Sequence, residues 1–209
     1  MERLESNPFE KEKNSVNVDK MSNSDIDGVL SLLQESLLPN EISDSEREKL
    51  MTKGFIVYPV DKNDLSEAII DEENHISLVA HDNKNNVLGY VLAYDLNTWR
   101  KHKVEWEDRI DAPDEIKSLL ADNKVLYFRH IVAKTGQNGI GVKLEYELFK
   151  EAKRKKFEYI IGEILKSPVP NDISLRFHEG LEFRQTGTIQ YDDNTLWTLV
   201  LKDLREKSK

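Results

Sequence analysis

Three glycines in six positions, Gly136, Gly139 and Gly141, stand in the run KTGQNGIGVKLEYELF at residues 134 to 149, in a chain that has only nine. Residues without a Cβ let a bulky anion approach the main chain, where successive N–H groups can converge on it. Leu144, Leu148 and Ala152 follow at helical spacing. The glycines therefore lead into a helix N-terminus, whose unpaired N–H groups and positive dipole end attract phosphate. A turn that needs unusual backbone angles would use glycines equally well. Two familiar phosphate loops do not fit. No Lys-Ser or Lys-Thr pair follows the last glycine, and no further glycine and downstream acid complete a dinucleotide fingerprint.

Other chemistry is bounded by what the chain lacks. Without cysteine there is no thiol nucleophile, disulfide framework or Cys-based zinc site. His75, His81 and His102 have no metal-ligand spacing, so no metal is expected.

The elements around the glycines read as one succession. Residues 1–14 are charged and expected to be a loose extension, followed by a single domain over 15–205. SVNV is a short strand, and SNSDIDGVLSLLQESLL a helix capped by Ser22 or Ser24 with Ile26, Val29, Leu30, Leu33 and Leu37 on one face. SDSEREKLMTK is a second, more polar helix. HISLVAH and NVLGYVLAYDL flank a turn as an antiparallel hairpin. KVLYFRHIVA then runs as a strand straight into the glycines. Beyond the glycine helix come the strand FEYIIGEIL, a helix capped by Asn171, and a closing hairpin. Residues 97–123 exceed what joining neighbouring strands requires and read as an insertion.

A formal charge of −9 argues against nucleic acid as a partner. No apolar run approaches the roughly 20 residues that span a bilayer, so no membrane is expected and a cytoplasmic location is the natural reading. Within residues 143–156, six basic residues outnumber three acidic ones. That patch could meet phosphates or simply complement the helix dipole.

GQNGIGVKL resembles the acetyl-CoA signature of the GNAT (GCN5-related) N-acetyltransferase superfamily, Arg/Gln-x-x-Gly-x-Gly/Ala, matched here at Gly136, Gly139 and Gly141. NDISLRFHEGLEF is similar to the superfamily's Asn-x-x-Ala-x-x-x-Tyr-x-x-x-Gly-Phe segment, from Asn171 through His178 to Phe183. The resemblance covers residues 76 to 200, and 16 to 40 more loosely. It departs at Gly136, in the usual Arg/Gln place, at Glu182, in the place of a glycine, and at His178, where many members carry a tyrosine.

The resemblance implies an α/β (α+β) acyl-CoA N-acyltransferase fold. Its central sheet would be mostly antiparallel, of about seven strands with helices on both faces, splayed between the fourth and fifth. It implies an acyltransferase of the class that moves groups other than aminoacyl groups, carrying acetyl from the co-substrate acetyl-CoA to a primary amine of a small molecule or peptide. Main-chain groups at Ile131 and Val132 would hold the pantetheine arm. Gly136, Gln137, Asn138, Gly139, Ile140, Gly141 and Val142 would hold the pyrophosphate, with Asn171 beside them. His178 is the expected acid for the departing thiolate, with Tyr191 and Tyr94 as other donors, and His130 the expected base. Trp99, Trp106 and Tyr94 are expected at the acceptor site, though a packing flap or dimer surface is the other reading of residues 97–123. The protein would act as monomer or homodimer. The altered Gly136, His178 and Glu182 positions also suit a non-catalytic acyl-CoA sensor of the same fold.

Overall fold

The structure is a computed structural model that describes residues 16–39, 43–121 and 124–205. The expected extension at 1–14 lies outside the described residues. The strands are β1 (Asn17–Lys20), β2 (His75–His81), β3 (Val87–Asp95), β4 (Ile110–Asp111), β5 (Val125–Ala133), β6 (Tyr159–Ser167), β7 (Arg184–Gln190) and β8 (Leu196–Asp203). The helices are α1 (Ile26–Ser36), α2 (Asp44–Lys53), α3 (Lys62–Ile70), α4 (Leu96–His102), α5 (Asp114–Leu120), α6 (Ile140–Arg154) and α7 (Asp172–Gly180).

All eight strands join one sheet in the order β1-β2-β3-β5-β6-β8-β7-β4. Every pairing is antiparallel except β5 against β6. The count exceeds the expected seven by β4, whose two residues are too short for an alternating pattern. α1 and α3 cover one face of the sheet, and α6 with α7 the other, each burying an apolar stripe such as Leu144, Leu148 and Ala152 of α6. The sequence reading omitted α3. Its start is a capping box in which Asp61 accepts from the Asn63 and Asp64 amides while Asp64 accepts from the Asp61 amide.

The fold places an opening at the centre of the sheet. β5 and β6 pair only from Val125 to Tyr127 against Tyr159 to Ile161. Where they part, a Cβ on Gly162 would stand 2.1 Å from the Phe128 ring. The ring needs that glycine to pack beside the fork, where it stacks on His178. On the other edge of β5, Leu92 faces His130 while Ala93 faces Phe128, so Arg129 is the extra residue of a β-bulge.

Residues 97–121 leave β3, lay β4 against β7 at the far edge of the sheet, and return through α5 to β5. They thus span the two halves that the fork separates. Arg100 fastens this segment internally to Glu107, Asn97 and the Leu120 carbonyl. Arg109 ties it to Asp192 in the β7–β8 turn at 2.7 Å. Among the described residues no helix is long and apolar enough to cross a membrane.

Candidate active site

The fork between β5 and β6 opens into a cavity of about 330 Å³, within the range of small-ligand sites. A second recess beside Lys155 and Glu72 measures about 20 Å³, room for about one water.

At one end of the cavity lies the glycine loop. Gly136 and Gly139 have φ of +83° and +84°, a conformation that costs any residue with a Cβ, so these two are required by the turn itself. Gly141 differs. It is helical, and a Cβ there would meet the Phe177 ring at 3.3 Å. The turn therefore explains Gly136 and Gly139, while packing of Phe177 against the helix explains Gly141.

The first bond of α6 runs from the Lys143 amide to the Gly139 carbonyl at 3.0 Å. Among the described residues, the amides of Asn138, Gly139, Ile140, Gly141 and Val142 donate to no protein carbonyl. The Gln137 amide is taken by the Lys134 carbonyl at 3.3 Å, which removes it from the expected set. Of this stretch Gly141 lines the cavity, and helix-start amides that no close carbonyl takes can receive an anion.

Along β5 the Lys134 amide bonds to Leu88 of the neighbouring chain segment at 2.7 Å. Antiparallel alternation then turns the main-chain groups of Val132 toward β3 and those of Ile131 and Ala133 toward the fork. Ile131 lines the cavity. So does Val132, but its amide and carbonyl belong to the sheet. The basic patch does not gather at this end. Lys150 and Arg154 pair with Glu147 and Glu151 on their own helix, and Lys143 and Lys155 bond to main-chain carbonyls of Val16 and Glu72.

Two expected site residues prove to be anchors of a strap. Residues 54–60 cross the cavity between α2 and α3, and side chains from beneath hold their carbonyls. Asn171 Nδ2 donates to Phe55 O at 2.8 Å, His130 Nε2 to Tyr58 O at 2.8 Å, and an Arg129 Nη to Pro59 O at 3.2 Å. His130 Nδ1 accepts from the Tyr90 hydroxyl at 3.1 Å. Both ring nitrogens are thus committed, and the ring is buried. Burial first, then the Arg129 charge, pushes its pKa down to about 3. His130 has no free lone pair with which to act as a base. Asn171, the N-cap of α7, lines the cavity, but its amide is spent on the strap.

The far end of the cavity is built by side chains from distant positions. Glu163 on β6 sits on the floor. Trp106 Nε1 donates to it at 2.5 Å, Tyr127 at 3.1 Å and Tyr191 at 2.8 Å. Burial raises its pKa above the usual carboxylate value, while the three donors oppose the rise. Over it stand Tyr58 and Trp197, stacked at 5.5 Å, with Tyr191 edge-on to both. Trp99 stacks on Tyr127 at 4.1 Å. Trp99 and Tyr191 line the cavity; Trp106 and Tyr94 do not. Trp106 is buried behind Glu163 and reaches the site only through it. Tyr94 is buried on β3, where its oxygen accepts from Arg129 at 3.0 Å. Sequence reading missed Glu163, although a carboxylate inside the apolar run YIIGEIL is a visible irregularity.

His178 is displaced from its expected role. The cavity face of α7 is Ile173, Ser174 and Phe177, and the next residue lies about 100° further round. His178 is fully buried, its ring stacked on Phe128 at 4.8 Å. Its Nδ1 donates to Ser174 O at 2.7 Å and its Nε2 is 3.3 Å from Glu145 of α6. The residue that faces the cavity in that turn is Phe177, which carries no proton to give. At Glu182 the backbone keeps φ +64°, the conformation that a glycine there would adopt freely.

No protein-family model matches the sequence, and no curated protein does. Solved structures do. A GCN5-related N-acetyltransferase from Kribbella flavida superposes over 90% of this chain and 97% of its own, with TM-score 0.51 at 14% identity. The ribosomal-protein-S18-alanine N-acetyltransferase of Escherichia coli gives TM-score 0.59 at 9% identity over 93% and 97% of the two chains. The same fold is theirs. The chain has the GNAT fold. A third GNAT-like structure, Salmonella typhimurium yncA, described as an acetyltransferase and solved with its cofactor acetyl-CoA, covers 93% of this chain and 97% of its own at TM-score 0.59 and 16% identity. In GNAT terms the fourth and fifth long strands are β5 and β6, and the fork is the splay that the sequence resemblance implied.

Proposed function

We propose that the protein is an acetyl-CoA-dependent N-acetyltransferase that acts on a primary amine of a small molecule or peptide. The observation that carries the reading is the joining of two unlike ends by one cavity. The start of α6, with its unpaired amides, meets one end at Gly141, and a carboxylate in an aromatic enclosure stands at the other.

In this reading the amides from Asn138 to Val142 hold the diphosphate, and Ile131 and Ala133 pair with the pantetheine arm. Acetyl-CoA supplies the activated acyl group. An ammonium acceptor, with a pKa near 10, must lose a proton before it can attack. Glu163 receives it. Its raised pKa brings it nearer to that task than an exposed carboxylate would be. Holding amine and thioester in one narrow cavity contributes orientation that proton transfer alone cannot. Phe177 gives no proton, and the departing thiolate, with a thiol pKa of about 8.5, can be reprotonated by water. We further propose that residues 15–205 form a single domain, with 97–121 as acceptor wall through Trp99 and, indirectly, Trp106.

Phe177 also fits a second reading, a non-catalytic sensor of acyl-CoA. Acetyl-CoA should raise the melting temperature under either. Release of free thiol on adding polyamines, amino acids or peptides occurs only under the first. Absence of any stabilisation would reject both.

A further inference from the structure

The acceptor end of the cavity already contains a primary amine of the protein itself. Lys103 follows α4, in the turn between Trp99 and Trp106. Its amide donates to the Trp99 carbonyl and its carbonyl accepts from the Trp106 amide, both at 3.0 Å. The turn is therefore fixed at both sides of the residue. Its side chain lines the cavity, with Nζ 5.4 Å from the centre of the Tyr58 ring and 5.9 Å from that of Tyr191, within cation–π range.

The arginines of the same segment are matched by carboxylates, Arg100 by Glu107 and Arg109 by Glu105 and Asp192. Among the described residues no carboxylate comes within ion-pair distance of Lys103. Its charge nevertheless acts on Glu163. An ammonium held against two aromatic rings over a buried carboxylate is the arrangement that an acceptor would adopt.

We infer that Lys103 is itself an acceptor and is acetylated in cis. This rests on the acetyltransferase reading above. The acetyl carbon would lose its bond to the CoA sulfur and form an amide bond to Lys103 Nζ. One ammonium proton passes to Glu163 by way of water, and the second leaves the nitrogen as the amide forms and passes through water to the thiolate. Among the described residues, acetylation removes the one cation over the Tyr58 and Tyr191 rings apart from Arg109, which stands 6.0 Å from Tyr191.

The full chain incubated with isotopically labelled acetyl-CoA, without added amine, tests this by peptide mass mapping of every lysine. Lys103 is exposed, as are Lys101 and Lys117 of the same segment, so exposure does not favour it, yet label should enter it about ten-fold faster or more, as positioning predicts. Its rate constant should not change with protein concentration. Glu163→Gln should slow Lys103 and leave Lys101 unchanged. Acetic anhydride, which needs no binding site, is the control; an equal Lys103 preference there would overturn the inference, as would equal labelling of Lys101 from acetyl-CoA. If added amines release thiol while Lys103 stays unlabelled, the self-acetylation fails and the acetyltransferase reading stands. If acetyl-CoA neither stabilises the protein nor supports any labelling, both fall.

Discussion

The two ends of the cavity are made of different material. From Asn138 to Val142 the groups on offer are main-chain amides of one continuous stretch, with glycine at two of the five positions. At the other end, Glu163, Trp106, Tyr127, Tyr191 and Tyr58 come from five separate segments, and each matters for a particular polar atom or ring. A ligand common to many proteins can be held by backbone, which every sequence supplies. Selecting an acceptor and taking its proton requires chosen side chains, and these need a fold to meet.

The largest effect should come from the side-chain end. Glu163→Gln keeps the size and an acceptor oxygen for Trp106 but removes the base. Turnover is expected to fall about 10²- to 10⁴-fold, the usual range for a lost general base, with stabilisation by acetyl-CoA unchanged. In the wild type, turnover should rise with pH along a limb displaced above the usual carboxylate range. Stability should move the other way. Burial raises the Glu163 pKa from 4.5, so the folded state is favoured by protonated Glu163 below that value and loses this advantage as pH rises. Thermal melting of the Gln variant should accordingly lack this loss. A melting temperature that collapses with activity would make Glu163 a structural residue.

A second contrast divides stability from chemistry. His178→Phe leaves Glu145, which is fully buried, without its neighbour at 3.3 Å. Losing the neighbour of a buried polar group typically costs about 1–3 kcal/mol, measurable by urea unfolding. The rate per folded molecule and its pH profile should be unchanged, because His178 does not line the cavity. Adding Glu145→Leu should recover most of the stability. A shifted pH profile would return His178 to the mechanism.

How far each end was legible follows from how it is built. The glycines, the helix behind them and the strand before them are consecutive, so local periodicity placed them. Of the expected phosphate-loop amides, Gln137 fails for a local reason, a turn bond to Lys134. His130 and His178 were attractive because imidazole titrates near neutrality. Neither is available. His130 is held by a carbonyl 72 positions away, and His178 by helical phase rather than residue type. Glu163 was visible in the sequence only as a misfit. Its three donors lie 28, 36 and 57 positions away, and nothing local announces them.

The strap offers a test of intermediate size. His130→Phe removes partners from the buried Tyr90 Oη, worth about 1–3 kcal/mol when left unsatisfied, and from the half-buried Tyr58 O. It should destabilise the protein at neutral pH and raise the KM for the acceptor, while the acid limb of the rate profile stays with Glu163. The stability difference should narrow in acid. The native His130 pKa lies near 3 against 6.5 for an unperturbed imidazole. The unfolded wild-type chain therefore takes up a proton that the folded one refuses, and stability falls by up to about 1.4 kcal/mol per pH unit below 6.5. The Phe variant lacks that slope.

The smallest effects are the most direct probe of the backbone end, because two glycines there should respond in opposite ways. Gly139→Ala puts a Cβ at φ +84° with open space around it. Strain alone should cost about 1–2 kcal/mol of folding stability. Gly141→Ala sits in a helix, where alanine is favoured over glycine by about 1 kcal/mol, offset by the Phe177 contact at 3.3 Å. Its net stability should hardly move. Its Cβ lies beside amides that the fold leaves unpaired, so acetyl-CoA binding, followed by calorimetry, should weaken about ten-fold, the equivalent of about 1.4 kcal/mol. If Gly141→Ala binds acetyl-CoA as the wild type does, its lack of a Cβ serves only the packing against Phe177, and the diphosphate seat must be sought elsewhere in the loop.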